Sequence, residues 1–439
     1  MKETVFLRAD TYLHMEIARV TDLGPDRRKQ LFERQGDIGE IRGDVSAILT
    51  AVEQSGDEAL REYTELYDDV VIHNFDITAD LERAVDAVDS ETLDAIDNAI
   101  ANVQEFHEQQ LPNDWRADFS GRELGRRFRP LERIGAYVPG GTAAYPSSAI
   151  MTVVPAKVAG VEQVVVTTPP GDPVNSVTLA ALQRAGADAV YQVGGAQAIG
   201  ALAHGTETIS PVDKIVGPGN RWVTAAKSLV RETVAIDFLA GPSEILVIAD
   251  DTADPGFVAS DLLAQAEHGP RSPCVLVTDS ETIAESVRDE LTERLRDVSR
   301  PKTIRTALES EASGLFLVRS MSEAISFANT YSSEHLSIQA TNDEEILDRI
   351  DNAGSVFLGP YTPVAAGDYA SGTNHVLPTG GMASYVGGLS VDTFLRATTV
   401  QRLTQSSLDS LAPTIIQLAG AEGLTAHAAS VQERLGSDE

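Results

Sequence analysis

The sequence predicts an α/β protein built on parallel sheets. Three observations carry this reading. From Ile134 onward, short apolar runs alternate with helical patterns, which is how a parallel sheet with crossover helices reads. The alternation pauses near Ala240 and then resumes, which divides the chain into two units. Glycine-rich turns follow strands in the earlier stretch, at Val138-Pro139-Gly140-Gly141-Thr142, Val193-Gly194-Gly195-Ala196-Gln197-Ala198 and Val216-Gly217-Pro218-Gly219-Asn220. The simplest architecture is therefore two Rossmann-like parallel-sheet domains, one inserted in the other, with a helical N-terminal arm and a helical C-terminal tail.

Residues 1–30 read as the arm. Ile38 to Phe106 is helical in pattern, with Asp44 a cap for one helix and a second opening at Ser90. Residues 111–133 are polar and contain prolines, so they read as an irregular connection. Arg133 to Pro139 is a strand and turn, Pro146–Ala159 a helix, Gln163–Thr168 a strand, Val174–Ala185 a helix, Ala189–Val193 a strand, and a further helix leads to the strand Lys214–Val216. The later unit runs Glu244–Ala249 (strand), Pro255–His268 (helix), Cys274–Val277 (strand), Ser280–Val298 (helix), Gly314–Val318 (strand), Ser322–Tyr331 (helix) and Gly354–Gly359 (strand). The expected boundaries are an arm at 1–30, a discontinuous first domain at 31–133 and 244–390, an inserted domain at 134–243, and a tail at 391–439.

Of 439 residues, 42% are apolar and 23% charged, as in folded globular enzymes. Nothing approaches an 18-residue apolar run, so no membrane span is expected. The first residues lack the apolar stretch of a secretory signal, and the single cysteine cannot form an intrachain disulfide. Both point to a reducing cytoplasm. Against 34 Lys and Arg stand 66 Asp and Glu, a net charge of −32. Such a surface repels nucleic acid and anionic membranes. It also suggests salt adaptation, because its self-repulsion is screened at high ionic strength.

The segment Ala259 to Pro270 reads as the end of a buried-face helix stopped by Gly269 and Pro270. Gln265 and His268 leave it about 60° apart around the axis, an oxygen and a nitrogen donor on one face. That pair can hold a metal if the chain brings other ligands to it. Asp368 and His375 lie in Ala366 to Gly381, a loop of glycines and small polar residues where backbone can approach a ligand. Asp368 is a good third ligand and His375 a good substrate contact. Glu334 and His335 sit side by side between a helix and an apolar strand, and together can relay protons near neutral pH. By pattern alone this pair also reads as an exposed charged turn. His427 lies in the first turn of a helix that Thr425 could cap, where a surface histidine is equally plain a reading. Of the 8 histidines, His14, His73, His107 and His204 have no obvious partner and read as structural. The glycine turns stand where an open α/β sheet binds nucleotides, but none is a full Gly-x-Gly-x-x-Gly fingerprint. Cys274, at the head of an apolar strand, reads as a buried thiol and not a nucleophile.

These motifs resemble the histidinol dehydrogenase family. The likeness rests on Ile134–Gly141, Val193–Ala198, Asp213–Asn220, Ala240-Gly241-Pro242-Ser243-Glu244, Asp261–Pro270, Ser333–Leu336 and Gly367–Pro378, and spans about residue 30 to about residue 430. The resemblance implies a zinc enzyme that oxidises L-histidinol to L-histidinaldehyde and then to L-histidine, reducing NAD at each step. It implies zinc on Gln265, His268, Asp368 and His427, a donor set suited to that ion. His335 would take the alcohol proton, and Glu334 would activate the water that attacks the aldehyde. Ser243, His375 and Glu422 match substrate contacts, with substrate also on the four zinc ligands and His335. Tyr137, Gln197 and Asn220 match NAD contacts. The resemblance further implies an intertwined homodimer whose tail, carrying Glu422 and His427, completes the partner's site. The acidic excess and the Gly380-Gly381-Met382 stretch depart from the usual pattern.

Two other readings compete with this one. A zinc hydrolase with Glu334 as base leaves the glycine turns without purpose and needs no NAD. A zinc-stabilised scaffold leaves Glu334 and His335 without a role.

The charge predicts a salt-dependent fold. The melting temperature rises between about 0.1 M and about 1 M KCl, as the screening length falls from about 10 Å to about 3 Å. A melting temperature unchanged over that range contradicts salt adaptation.

Overall fold

A computed structural model describes residues 13–34, 38–140, 144–171 and 173–435. The outer part of the expected arm, the Gly141-Thr142 end of the first glycine turn and the last residues of the tail lie outside the described residues.

The described chain opens with β1 (Ile17–Arg19) and α1 (Pro25–Phe32), so the arm supplies a strand as well as a helix. Then come α2 (Arg42–Asp68), α3 (Leu81–Asp86) and α4 (Ser90–Glu108). Asp44 sits inside the first turn of α2, not at its cap, where its charge suits the positive end of the helix. α2 breaks at Gly56, which has a φ of +51°. A Cβ there would stand 2.3 Å from Glu207 Oε2, the atom that accepts the Asp57 N–H and restarts the helix.

Residues 111–133 are not irregular. They form β2 (Trp115–Asp118) and β3 (Arg122–Pro130), joined by a turn in which Ser120 and Gly121 both have positive φ. β2 is exposed along its whole length, so the alternation that marks a half-buried strand is missing from its sequence.

The first alternating stretch contains β4 (Arg133–Tyr137), α5 (Pro146–Val158), β5 (Gln163–Thr168), α6 (Ser176–Ala185), β6 (Ala189–Gln192), α7 (Gly195–His204), β7 (Lys214–Val216), α8 (Arg221–Leu229) and β8 (Ala235–Ile236). The second contains β9 (Ile245–Ala249), α9 (Pro255–Glu267), β10 (Cys274–Thr278), α10 (Glu281–Arg294), α11 (Pro301–Leu308), β11 (Gly314–Leu317), α12 (Met321–Tyr331), β12 (His335–Gln339), α13 (Asp343–Leu347), β13 (Ser355–Leu358) and α14 (Val364–Tyr369). The tail, expected to be helical from Val391, first adds β14 (Leu395–Leu403) and only then α15 (Gln405–Ala421) and α16 (Thr425–Leu435).

The strands build a five-stranded parallel sheet, β6-β5-β4-β7-β8, and a six-stranded parallel sheet, β1-β11-β10-β9-β12-β13. Counted from β4 and from β9, each has the strand order 3-2-1-4-5 of a Rossmann-like half, with β1 added beside β11. A three-stranded antiparallel sheet, β14-β3-β2, stands apart.

The helices before β4 belong with the five-stranded sheet. Ile77, Leu81, Ile96 and Val103 share a core with Ile134, Val164 and Val166. Ile41, Val45, Leu60 and Phe75 share the core on its other face with Val165, Ile199 and Ile215. The expected grouping of 31–133 with 244–390 is therefore corrected: the insertion starts near residue 38, after β1 and α1. An apolar helix stripe shows that a face is buried, but not which sheet buries it.

α1 is tied to the six-stranded sheet by a buried ion pair. Arg34 donates from Nε to Glu244 Oε2 at 2.6 Å and from Nη2 to Oε1 at 3.0 Å. Its guanidinium lies 3.4 Å above the Tyr331 ring centroid and donates to the carbonyls of Leu31 and Tyr331. Gly380 N–H completes the Glu244 shell at 3.1 Å. With side chains 3% and 1% exposed, neither charge can turn to water.

Replacing Arg34 by Met strands the Glu244 carboxylate and lowers stability by about 3–5 kcal/mol in chemical denaturation. Adding Glu244→Gln to that variant restores part of the loss. A single-variant loss no larger than that of an exposed arginine contradicts this.

Candidate functional site

The six-stranded sheet presents Glu244, Glu334 and His335 at the amino ends of β9 and β12. Ser332 stops α12 with a left-handed φ of +52°, so the chain turns at once into Glu334 and β12. In the ladder, His335 lies opposite Ile245 on one side and Ser355 on the other. Both side chains engage the Glu244 peptide. Glu244 N–H donates to Glu334 Oε2 at 2.8 Å, and the Glu244 carbonyl lies 3.1 Å from His335 Nδ1. A carbonyl can only accept, so Nδ1 carries the proton and Nε2 keeps its lone pair. His335 Nε2 is buried, has no hydrogen-bond partner among the described residues, and stands 3.6 Å from Asp368 Oδ1. Burial pushes the His335 pKa down to about 3, so the ring is neutral. Burial raises Glu334 well above the usual carboxylate range, against the opposing hydrogen bonds from Ser243 and Glu244.

Ser243 links this pair to α9. Its hydroxyl donates to Glu334 Oε2 at 2.6 Å and accepts from Gln265 Nε2 at 2.8 Å. That fixes the Gln265 amide, whose Oε1 is left buried and without a partner among the described residues. His268 caps the same helix and lies near enough to His335 and His375 that its protonated form would disfavour theirs. Asp261 carries a pKa raised by burial to about 6, an effect that the nearby Val364 N–H at the start of α14 opposes. Asp368, on α14, is pushed up to about 7 by burial. His375 points Nδ1 at the Asp368 carbonyl at 2.9 Å and Nε2 toward Ser148 Oγ at 3.4 Å, and burial lowers it to about 4. The contacts His335–Asp368–His375–Ser148 thus join the amino edge of the six-stranded sheet to the start of α5, at the carboxyl edge of the five-stranded sheet.

Tyr137, Gln197 and Asn220 lie along that carboxyl edge. Tyr137 ends β4, its hydroxyl accepts the Gly195 N–H at 3.2 Å, and burial pushes it up to about 12. Gln197 is buried in the first turn of α7, and a Cβ on Gly195 would stand 2.6 Å from its Oε1. Asn220 is exposed and caps α8 by accepting from the Trp222 and Val223 N–H groups. The preceding Gly217 has a φ of +108°, and a Cβ there would lie 2.3 Å from the Tyr137 carbonyl, so only glycine fits. Its peptide is held at both ends: Asp237 accepts the N–H at 2.9 Å, and Lys227, ion-paired with Asp237, donates to the carbonyl at 3.0 Å.

The structure therefore brings Ser243, Gln265, Glu334, His335, Asp368 and His375 into one hydrogen-bonded and electrostatic group, with His268 beside it. It does not bring Glu422 or His427 there. Both are exposed on the tail, and among the described residues no hydrogen bond or ion pair joins their side chains to the group. Consistently, among the described residues no three His, Cys, Asp or Glu side chains of one chain gather closely enough to hold a metal ion. Cys274 is fully buried, its thiol facing the carbonyls of Leu262 and Ser272 and its pKa raised by that burial. Sequence reasoning missed Arg34, the Glu244 peptide and the Lys227–Asp237 clamp. The Pro242-Ser243-Glu244 motif was the one signal, and it names Glu244 without revealing that its backbone does the holding.

A family model described as histidinol dehydrogenase matches residues 32–435. The histidinol dehydrogenase of Halobacterium salinarum is 62% identical over 421 residues, covering 96% of this chain and 99% of that protein. That of Haloarcula marismortui is 60% identical over 420 residues, covering 96% of this chain and all of its own length, 100%. Both sources are halophilic archaea, in keeping with the acidic surface. Among solved structures, histidinol dehydrogenase from Elizabethkingia anophelis superposes with a TM-score of 0.92 at 38% identity, covering 97% of this chain and 99% of that one. On the strength of sequence, length and fold together, the chain belongs to the histidinol dehydrogenase family.

Proposed function

We propose that the protein oxidises L-histidinol to L-histidinaldehyde and then to L-histidine, with NAD as oxidant and one zinc ion per subunit. The observation that carries this is His335 Nε2: a buried, neutral base, unpartnered among the described residues and held beside Glu334 in a chain of this family. The donors available suit zinc. Gln265 Oε1 is buried without a donor, and the Asp368 carboxyl is buried with no cation paired to it among the described residues, so a divalent ion satisfies both. Gln265, His268 and Asp368 would hold it together with the partner's His427, and Tyr137, Gln197 and Asn220 would hold NAD. When bound, zinc fixes the substrate nitrogens and NAD supplies the hydride acceptor.

The chain's own groups move the protons. His335 Nε2 takes the hydroxyl proton of histidinol as the alcohol carbon is oxidised. Glu334 then draws a proton from water, whose oxygen adds to the aldehyde carbon, while His335 returns its proton to the aldehyde oxygen and is neutral again. His335 takes a hydroxyl proton from the resulting hydrate in the second oxidation. Ser243 keeps Glu334 and Gln265 in register, and His375 meets substrate from the Asp368 loop. No thiol is needed, in keeping with the burial of Cys274.

A homodimer with shared sites follows from the same reading. Its support is the exposure of Trp115, Phe119 and Leu403 on the antiparallel sheet and of Leu418 and Leu424 on the tail, apolar area that a second copy would cover. The partner's Glu422 and the partner's His427 would then reach the group that lacks them. The single cysteine suits the cytoplasm, and among the described residues no helix is long and apolar enough to cross a membrane.

Purified protein with histidinol, NAD and zinc at high salt produces NADH and histidine in a ratio of about two to one, since each two-electron step reduces one NAD. Glu334→Gln accumulates the aldehyde, and His335→Asn slows the first oxidation by roughly a hundredfold or more. Substrate loss without NADH contradicts the reading, and so does the absence of any reaction.

His427→Ala and Glu334→Gln chains, each unable alone to form histidine, regain histidine formation when unfolded together and refolded, because one site in the mixed dimer is intact. No recovery in refolded mixed dimers overturns the shared site.

A further inference from the structure

The first βα turn of the five-stranded sheet lacks the usual dinucleotide fingerprint, and so does the acid that accompanies it. That acid holds a ribose hydroxyl about 20 residues after the glycine turn. Here the corresponding strand is β5, and neither Gln163–Thr168 nor Pro169-Pro170-Gly171 contains a carboxylate, while Asp172, next along the chain, lies outside the described residues. The described structure offers one from another element, the end of α2.

After its break at Gly56, α2 restarts beside Glu207 and Thr208, which bond to Asp57 beyond the carboxyl end of α7. From Asp57 to Asp68 the helix rises about 17 Å. The chain then re-enters the fold antiparallel to β6, with Phe75 accepting the Gln192 N–H and Ile77 donating to Val190. Gln192 also reaches back to the Asn74 carbonyl at 2.7 Å. The segment between Asp68 and Asn74 therefore crosses the carboxyl edge of the sheet, above the Val193–Gln197 turn. Asp68 is close enough there for its charge to act on the Tyr137 hydroxyl.

Asp68 is half-buried and its Oδ2 is sealed from solvent, with no hydrogen-bond partner and no ion pair among the described residues. A carboxylate oxygen withdrawn from water without a donor is costly, and in a native fold it marks a partner that arrives from outside. The donors a dinucleotide offers to a lone carboxylate are its ribose hydroxyls. A phosphate on that ribose would instead bring a second negative charge up against the carboxylate.

We propose that Asp68 selects the dinucleotide: its carboxylate accepts a hydrogen bond from a ribose hydroxyl of NAD, and its charge rejects NADP. This rests on the reading of Tyr137, Gln197 and Asn220 as the NAD contacts. Asp68 is a binding and specificity residue with no part in proton transfer.

The test compares full-length wild type, Asp68→Ala and Asp68→Asn, each confirmed folded by circular dichroism. NAD and NADP are each titrated by calorimetry, and both are assayed with histidinol. The Ala variant raises the KM and Kd for NAD about ten- to a hundredfold, with kcat changed far less, as expected for losing a hydrogen bond to a charged acceptor. The Asn variant, which keeps the shape without the charge, narrows the NAD over NADP preference. A merely structural role for Asp68 would weaken both dinucleotides equally. An unchanged NAD over NADP binding ratio in both variants overturns the assignment even if wild type turns over histidinol. If wild type binds NAD but oxidises no histidinol, the functional reading fails, and the binding ratio still decides for or against Asp68. If wild type binds neither dinucleotide, both fall.

Discussion

Arg34 and Glu244 are 210 residues apart in the chain and meet as a buried bidentate pair. The rest of the site hangs from the backbone that this pair immobilises. Glu244 N–H holds the Glu334 carboxylate, and the Glu244 carbonyl sets the tautomer of His335. A backbone peptide suits this task better than a side chain, because it loses no rotamer freedom in doing it. The ion pair locks the side chain of the same residue, so the peptide cannot rotate without breaking four charge-assisted or backbone contacts around Arg34 and Glu244. Burial of the pair is weak support for net stability, since hydrophobic replacements often do as well. Its value here is positional.

Burial also sets the chemistry of the reacting groups. His335 is neutral because its surroundings disfavour the imidazolium, and Glu334 and Asp368 are raised because theirs disfavour the carboxylate. These opposite shifts come from one cause acting on an acid and on a base. They leave a ring nitrogen and an amide oxygen without partners among the described residues, with the Asp368 carboxyl 3.6 Å from that nitrogen. An enzyme holds such groups apart from water when substrate, water and metal are to complete them. On the other sheet the Lys227–Asp237 clamp and the glycines at 195 and 217 do the corresponding work, placing backbone where a cofactor can come close.

Much of this was legible in the chain. Buried parallel strands such as Val164–Val166 and Ile245–Ile248 read as continuous apolar runs, so both sheets could be drawn from sequence. Glu334, His335, Asp368 and His375 stood out because charged residues and glycines share their loops. The misreadings have physical reasons. β2 and most of β14 are exposed on both faces, so no alternation marks them. The helices from 42 to 108 show apolar stripes that fit either sheet, and only packing assigns them to the five-stranded one. Arg34 and Asp68 look like surface charges in sequence, because burial by residues far along the chain has no local signature.

The account stands on one arrangement: a base fixed by a peptide, facing a substrate that a metal holds in place. Crystallography of the protein loaded with zinc and histidinol, with anomalous scattering recorded at the zinc edge, tests it most directly. The account predicts one anomalous peak among Gln265, His268 and Asp368 of one subunit and the partner's His427, with His335 Nε2 facing the histidinol hydroxyl and Nδ1 still on the Glu244 carbonyl. A peak elsewhere, or a His335 ring turned so that Nε2 leaves the substrate, contradicts it.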